Sequence, residues 1–224
     1  MGIPKILPGG DSTLSVEFGA VIDPLINRQV QALFKKLKAD PPSGLIDLIP
    51  TYRSLLVQYD PTRLSFEDLQ KIIFSLVDLS ESLFETADRM VEIPVCYGND
   101  FGPDLEKIAA FHHLTAEEVV TIHSGGLYRV YMIGFTPGFP YLGILDPRLV
   151  TPRKKGPRAL VPAGTVGIAG QQTGIYPLDS PGGWQLIGRT PIKLFDLTQP
   201  DPFYLKSGDQ VTFKTISKEE FEDY

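Results

Sequence analysis

The sequence contains very little cysteine and histidine. Cys96 is the single cysteine, and the three histidines are His112, His113 and His123. One cysteine excludes an internal disulfide and a cysteine-rich zinc site. No apolar run approaches the ~20 residues that a membrane-spanning helix needs, and residues 1–14 lack the apolar core of a secretory signal. We therefore expect a cytoplasmic protein with no membrane segment, no disulfide and no metal site.

Positive charge is also scarce overall, but it is unevenly distributed. The 224 residues carry a net charge of −6, which argues against a nucleic-acid partner. Residues 127–200 contain eight Lys and Arg but three acids, so this stretch is positive while the remainder is strongly acidic. Of the 41 Gly and Pro residues, 20 lie between positions 134 and 191. This change of character predicts two domains, which we place at 1–89 and 90–224.

The N-terminal half alternates between strand and helix patterns. Leu14, Val16 and Phe18 alternate with polar residues, as in a half-buried strand. Asp23-Pro24 is typical of a helix start, and Ser65 with Asp68 resembles a capping box that opens a second helix. Two short apolar runs between the helices predict a hairpin, and Val91–Val95 predicts a last strand. The resulting βαββαβ order is the ferredoxin-like pattern.

The C-terminal half begins with two short helices and continues as strands. Thr115 and Glu118 form a second capping-box pattern before the helical signal ends near Gly126. Short apolar runs separated by Gly and Pro then predict a closed barrel or a sandwich. These strand predictions cover residues 127–135, 159–161, 165–169, 174–176, 184–187, 192–196 and 210–214.

Common catalytic motifs are absent from the sequence. It has no Gly-rich phosphate loop of the form G-x-x-x-x-G-K-[ST] and no H-E-x-x-H metal helix. It also has no G-x-S-x-G elbow and no S-x-x-K pair. The sequence therefore identifies no catalytic residue, and the catalytic machinery stays unknown at this level.

Long motifs in the C-terminal half carry a family resemblance. Residues 134–143 read GFTPGFPYLG, and residues 151–191 read TPRKKGPRALVPAGTVGIAGQQTGIYPLDSPGGWQLIGRTP. Together with EIPVCYG at 92–98, FGPDLEKIA at 101–109 and SGDQVTF at 207–213, they closely resemble one family. That family contains the B subunit of 5-oxoprolinase, the sporulation-kinase inhibitor KipI and allophanate hydrolase subunit 1. The resemblance covers nearly the whole chain and implies an α+β fold, a ferredoxin-like domain followed by a cyclophilin-like β-barrel domain.

The resemblance also implies a role within a larger enzyme. The leading interpretation is a subunit of an ATP-dependent 5-oxoprolinase that hydrolyses 5-oxo-L-proline to L-glutamate and needs subunits A and C (a KipA-like chain). ATP and Mg²⁺ would then be bound mainly by a partner subunit, and this chain would be inactive alone. One alternative is a KipI-like regulatory protein that inhibits a sensor histidine kinase. A third interpretation is an allophanate hydrolase or urea amidolyase subunit.

The basic segment and the glycine-rich stretch after it provide candidate substrate-binding residues. Arg153 and Arg158 suit a carboxylate because the guanidinium group is a planar fork, although a solvated surface loop explains the same charges. Gln172, Thr173 and Tyr176 offer amide, hydroxyl and phenol groups, with strand-end hydrogen bonding as the alternative.

Aromatic residues near position 135 provide candidate partner contacts. Phe135, Phe139 and Tyr141 are set among prolines and glycines in a stiff loop, and exposed aromatic surface often marks an interface. Packing across the barrel mouth is the alternative. Trp184 is the fourth candidate partner contact, and its alternatives are lining a pocket or filling the barrel. His123 is expected to interact with the end of its helix, and Cys96 to be a buried structural thiol.

Overall fold

The structure is a computed structural model, and it describes residues 3–77 and 89–224. The chain divides into two compact units, Met1–Ala87 and Asp88–Tyr224. Independent folding of domains 1–89 and 90–224 stays a prediction, which expression of residues 90–224 alone would test.

The first unit is a four-stranded antiparallel sheet with two helices. Its strands are β1 (Lys5–Pro8), β2 (Thr13–Glu17), β3 (Leu45–Pro50) and β4 (Ser54–Tyr59). Helices α1 (Pro24–Ala39) and α2 (Phe66–Leu76) begin as predicted, because the side chains of Asp23 and Ser65 accept backbone N–H bonds at the two helix starts. Leu14, Val16, Leu55 and Val57 are fully buried among apolar residues from both helices.

The predicted βαββαβ order is wrong at its first and last strands, so the ferredoxin-like assignment is not confirmed. The sheet order is β1-β2-β4-β3, and its edge strand β1 precedes the first predicted strand. The strand predicted at Val91–Val95 exists as β5 (Met90–Tyr97), but it pairs with strands of the second unit. An apolar run of this kind predicts a buried strand without indicating which sheet receives it.

The second unit is a closed seven-stranded barrel, which confirms the barrel prediction. The remaining strands of this unit are β6 (Tyr128–Ile133), β7 (Pro140–Gly143), β8 (Arg158–Val161), β9 (Thr165–Ala169), β10 (Gln172–Ile175), β11 (Ser180–Gly182), β12 (Gln185–Arg189) and β13 (Gln210–Thr215). The order around the barrel is β10-β7-β6-β13-β5-β12-β9, with β8 and β11 paired separately. Strands β5 and β13 run parallel, while the other barrel pairs are antiparallel.

Within residues 89–224, three α-helices accompany the barrel: α3 (Leu105–His112), α4 (Ala116–Ser124) and α5 (Lys218–Glu222). Residues Pro147–Leu149 form a short 3-10 helix. The predicted capping box of Thr115 and Glu118 is present at the start of α4. Helix α3 starts very close to β12, because a Cβ on Gly102 would lie 2.0 Å from the Ile187 carbonyl oxygen. This close approach brings the start of α3 beside the strand that follows Trp184.

Two strand predictions for this unit need correction. Residues 192–196 form no strand, although Phe195 makes an isolated bridge to Phe203. Strand β7 lies inside the segment predicted to be a stiff aromatic loop, since Pro140 and Tyr141 pair with β6. Proline at the first residue of a strand is tolerated because the missing N–H costs the ladder little there.

Candidate functional site

The cationic side chains of the basic segment, residues 153–158, lie in different environments. The Arg153 guanidinium lies 5.8 Å from the centroid of the Trp184 ring. Arg158 and Lys154 turn instead toward Asp104, and Lys155 is exposed. The predicted pair of substrate-binding arginines is therefore divided between two environments.

Arg158 forms an ion pair with a fully buried carboxylate. Its Nη2 lies 2.7 Å from Asp104 Oδ2 and 2.8 Å from Oδ1. The Leu186 N–H donates to Asp104 Oδ2 at 2.9 Å, and the Arg158 Nη1 donates to the Trp184 carbonyl at 3.4 Å. Burial alone would raise the pKa of Asp104, but these hydrogen bonds and the charge of Arg158 hold it below its usual value. Arg158 therefore connects α3 to the strand after Trp184.

Asp104 is the partner of Arg158, and the sequence analysis did not identify it. It stands just before α3, where an aspartate ordinarily caps a helix, but its side chain makes no capping bond. The sequence signal that could have identified Asp104 is its position inside the FGPDLEKIA motif. The spacing of apolar residues in that motif predicts only a helix.

Arg153 faces an aromatic cluster formed by Phe139, Tyr141, Tyr176 and Trp184. Phe139 is central, with ring centroids 4.8 Å from Tyr141, 5.2 Å from Tyr176 and 5.4 Å from Trp184. A Cβ on Gly182 would lie 2.4 Å from the Tyr176 hydroxyl, so the glycine leaves room for that phenol. The cluster gives the cation a largely apolar wall, a setting in which cation–π attraction is favourable.

Burial raises the pKa of both Tyr141 and Tyr176 above the usual tyrosine value, although Arg153 partly offsets the effect. Both phenols are therefore neutral hydroxyls near pH 7 and can donate hydrogen bonds. Arg153 makes no ion pair with any residue in the described ranges. An exposed guanidinium of this kind, beside the half-buried Tyr141, is suited to hold a small carboxylate.

The predicted partner contacts lie at different depths. Phe139 and Trp184 are buried, at 1% and 5% exposure, and Tyr141 is half-buried. Phe135 is 64% exposed, so it alone of the four presents most of its side chain to solvent. The Trp184 indole is packed in the aromatic cluster with Arg153 over its ring, and its role in lining a pocket stays a prediction.

Thr173 belongs to a buried polar chain rather than to the aromatic cluster. Tyr97 Oη lies 2.8 Å from His123 Nδ1, and His123 Nε2 lies 2.9 Å from Thr173 Oγ1. Thr173 in turn donates to the Gly167 carbonyl at 3.0 Å, which assigns the proton of the imidazole to Nε2. Gln172, its neighbour on β10, is half-buried and takes part in a contact of its own.

The expected interaction of His123 with its helix end is wrong. The side chain is fully buried, and its imidazole stacks on the Phe213 ring at 4.6 Å. Burial lowers the pKa of His123 to about 3, so the ring is neutral at pH 7 and carries no charge for the helix dipole. Cys96 is buried as predicted, and burial raises the pKa of its thiol.

Metal-ligand clusters and membrane-spanning helices are both absent from residues 3–77 and 89–224. These residues contain no cluster of three or more His, Cys, Asp or Glu side chains that could hold a metal ion. None of their helices has the length and apolar character needed to cross a membrane.

The family model described as carboxyltransferase domain, subdomain C and D, matches residues 4–205. The chain is 45% identical to the B subunit of 5-oxoprolinase from Bacillus subtilis (strain 168), over 96% of this chain and 94% of that protein. A solved structure of TTHA0988 superposes with a TM-score of 0.83 at 42% identity over 92% of this chain. This chain spans 40% of the TTHA0988 chain. Similarity to urea amidolyase of Saccharomyces cerevisiae is weaker, at 22% identity over 98% of this chain and 14% of that protein.

Proposed function

The chain belongs to the family of the carboxyltransferase domain, subdomain C and D, and from this premise we propose that it is a subunit of an ATP-dependent 5-oxoprolinase. The observation that carries the proposal is the 45% identity with the B subunit of a 5-oxoprolinase over almost the full length of both proteins. The urea amidolyase interpretation ranks behind it because that likeness is lower and covers a small part of a much longer protein.

The proposed reaction opens the lactam of 5-oxo-L-proline to give L-glutamate. The lactam carbonyl is a weak electrophile, so transfer of the γ-phosphoryl group of ATP to its oxygen would activate the carbonyl carbon. Water then adds to that carbon, and the ring C–N bond breaks as its nitrogen takes up a proton, which leaves an acyl phosphate. A second water molecule releases the phosphate, and the sum yields glutamate, ADP and phosphate.

Within this reaction we assign Arg153 the role of holding the substrate carboxylate. The assignment is supported by its lack of a carboxylate partner in the described structure and by its place over Trp184. The half-buried Tyr141 would border the bound substrate, whereas the buried Tyr176 and Trp184 support the wall beneath Arg153. Arg158 acts on this site only indirectly, because Asp104 occupies its guanidinium.

The proposed assembly places the remaining machinery on other chains. We propose that 5-oxoprolinase subunits A and C complete the active enzyme, that a partner subunit binds most of the ATP and Mg²⁺, and that this chain alone is inactive. The lack of a phosphate-loop motif in the sequence supports this division. A cytoplasmic location, without a nucleic-acid or membrane partner, belongs to the same proposal.

Reconstitution with subunits A and C tests the proposal, with ATP-dependent glutamate release as the measurement. Arg153→Ala should raise KM for 5-oxoproline by about tenfold or more, because a charge-assisted hydrogen bond contributes roughly 1.5–3 kcal/mol. Arg148→Ala is the matched control, since Arg148 is an exposed arginine already paired with Asp146 at 2.8 Å. Its KM should stay within about twofold of the wild-type value.

The result also separates the alternatives. A reconstituted complex that releases no glutamate would overturn the subunit assignment. Equal KM values for the Arg153 and Arg148 variants would overturn the Arg153 assignment. Inhibition of a sensor histidine kinase by the isolated chain, without glutamate release from the complex, would instead favour the regulatory interpretation.

A further inference from the structure

A groove lined by lysines lies between α3 and the basic segment. It encloses about 390 Å³, and its cationic members are Lys107 from α3 and Lys154 and Lys155 from the segment. No aspartate or glutamate of the described chain lines it. We call this feature the lysine groove.

The charges around Asp104 leave the lysine groove with excess positive charge. Arg158 already satisfies the Asp104 carboxylate at 2.7 Å, yet Lys154 and Lys107 also approach one of its oxygens, at 3.4 and 3.7 Å. One carboxylate therefore faces three cations. Since Lys154 and Lys107 approach the same oxygen, their ammonium groups lie near each other, and mutual repulsion favours a bound anion.

Two further side chains give the groove the features of a ligand site. Lys155 is exposed and has no ion pair within the described structure, so its ammonium group is available. Phe111 lines the same groove and is 59% exposed, with its ring edge-on to His112 at 4.8 Å. A cationic floor beside an exposed aromatic ring suits a ligand with an anionic end and an apolar part.

We propose that the lysine groove binds the phosphoryl group of a small phosphorylated ligand whose apolar part rests on Phe111. A phosphoryl group carries up to two negative charges and three acceptor oxygens. It therefore complements three ammonium groups better than a carboxylate group, which carries one negative charge and two oxygens. Lysine binds phosphate as a point charge and needs no planar fork. The site does not rest on the proposed function, because none of its lining residues belongs to the aromatic cluster.

Calorimetric titration of the full chain at pH 8 and low ionic strength tests the site, with inorganic phosphate and phenyl phosphate as probes. Both probes should bind, and phenyl phosphate should bind more tightly by a few fold. Lys155→Ala should weaken binding of both probes by about three- to tenfold, the effect of one charged contact at a partly exposed site. Phe111→Ala should remove the preference for phenyl phosphate and leave the affinity for inorganic phosphate unchanged.

Lys214→Ala is the matched control, because Lys214 is an exposed lysine on β13 that does not line the groove. Its affinity for both probes should equal that of the wild type, and thermal melts should show that every variant is folded. If Lys214→Ala and Lys155→Ala weaken phosphate binding equally, the effect comes from the overall charge of the protein, and the proposed site is wrong. Failure of both probes to bind the wild type at roughly 10 mM would also overturn it. Binding without any preference for phenyl phosphate would overturn the contact with Phe111.

Discussion

The two sides of the basic segment differ in whether a carboxylate compensates the positive charge. On the side of α3, Arg158 contacts both oxygens of fully buried Asp104. On the side of the aromatic cluster, Arg153 lies over Trp184 with no acidic partner in the described residues. Two arginines five positions apart thus differ in their contacts, because Arg158 is held by an ion pair and Arg153 lies over an aromatic ring. A positive stretch in a sequence therefore identifies an anion site only after its buried acids have been counted.

The largest effect expected from this difference is on Asp104. Asp104→Asn keeps the shape of the side chain and an acceptor for the Leu186 N–H, but it leaves Arg158 without a counter-charge. Loss of one partner of a buried ion pair costs about 3–5 kcal/mol. Since the Arg158 side chain keeps 25% exposure, we expect the free energy of unfolding to fall by about 2–4 kcal/mol.

Urea denaturation measures this change, with Asp100→Asn as the control because Asp100 is exposed. The control should stay within about 0.5 kcal/mol of the wild type. Equal stability of the Asp104 and Asp100 variants would show that the ion pair does not hold α3 against β12.

The next effect concerns pH, and it depends on the buried imidazole of His123. The unfolded chain protonates an ordinary imidazole near pH 6.5, whereas the folded protein protonates His123 only near pH 3. Between these values the unfolded state binds more protons, so the free energy of unfolding falls as the pH falls, by up to about 1.4 kcal/mol per pH unit. Between pH 7 and pH 5 the wild type should therefore lose about 2 kcal/mol more than His123→Gln.

The comparison of the wild type with His123→Gln isolates the contribution of the buried imidazole. Carboxylate titration is common to both proteins, so it cancels when their pH profiles of unfolding free energy are compared. Parallel profiles for the wild type and His123→Gln would contradict burial of a neutral imidazole in the barrel.

The smallest expected effect is a difference in the free energy of unfolding between lysine substitutions at Arg158 and at Arg153. Arg158→Lys keeps the charge but loses the bond to the Trp184 carbonyl and part of the contact with Asp104, which should cost about 1–2 kcal/mol. Arg153→Lys has no such network to lose and should change the free energy of unfolding by less than about 0.5 kcal/mol. Thermal melts of the two variants measure this difference in stability. Equal destabilisation would show that Arg153 is held by the structure as firmly as Arg158.

Local sequence signals predicted local structure well. Asp23-Pro24, Ser65 and the Thr115–Glu118 box start helices where expected, because capping depends on residues three positions apart. Most of the short barrel strands were also predicted from apolar runs between glycines and prolines. Strand β7 was missed because its Pro- and Gly-rich surroundings are typical of a loop.

The contacts that the sequence analysis did not predict join residues that are far apart in the chain. The Arg158–Asp104 pair joins residues 54 positions apart, and the His123–Thr173 bond joins residues 50 apart. Neither leaves a local pattern, so Arg158 was predicted to face a ligand and His123 to face a helix end. The placement of β5 in the wrong sheet has the same cause, because its partners β12 and β13 come much later in the chain.

The parallel pairing of β5 with β13 has a consequence for the order in which the chain folds. The ion pair of Arg89 and Asp209 at the start of this ladder joins residues 120 positions apart. During synthesis the barrel cannot close until its last strand has left the ribosome, whereas the sheet of the first unit needs only residues up to Tyr59. Until β13 is available, β5 can pair on the β12 side only, and an unpaired strand edge of this kind favours aggregation while the chain is being made.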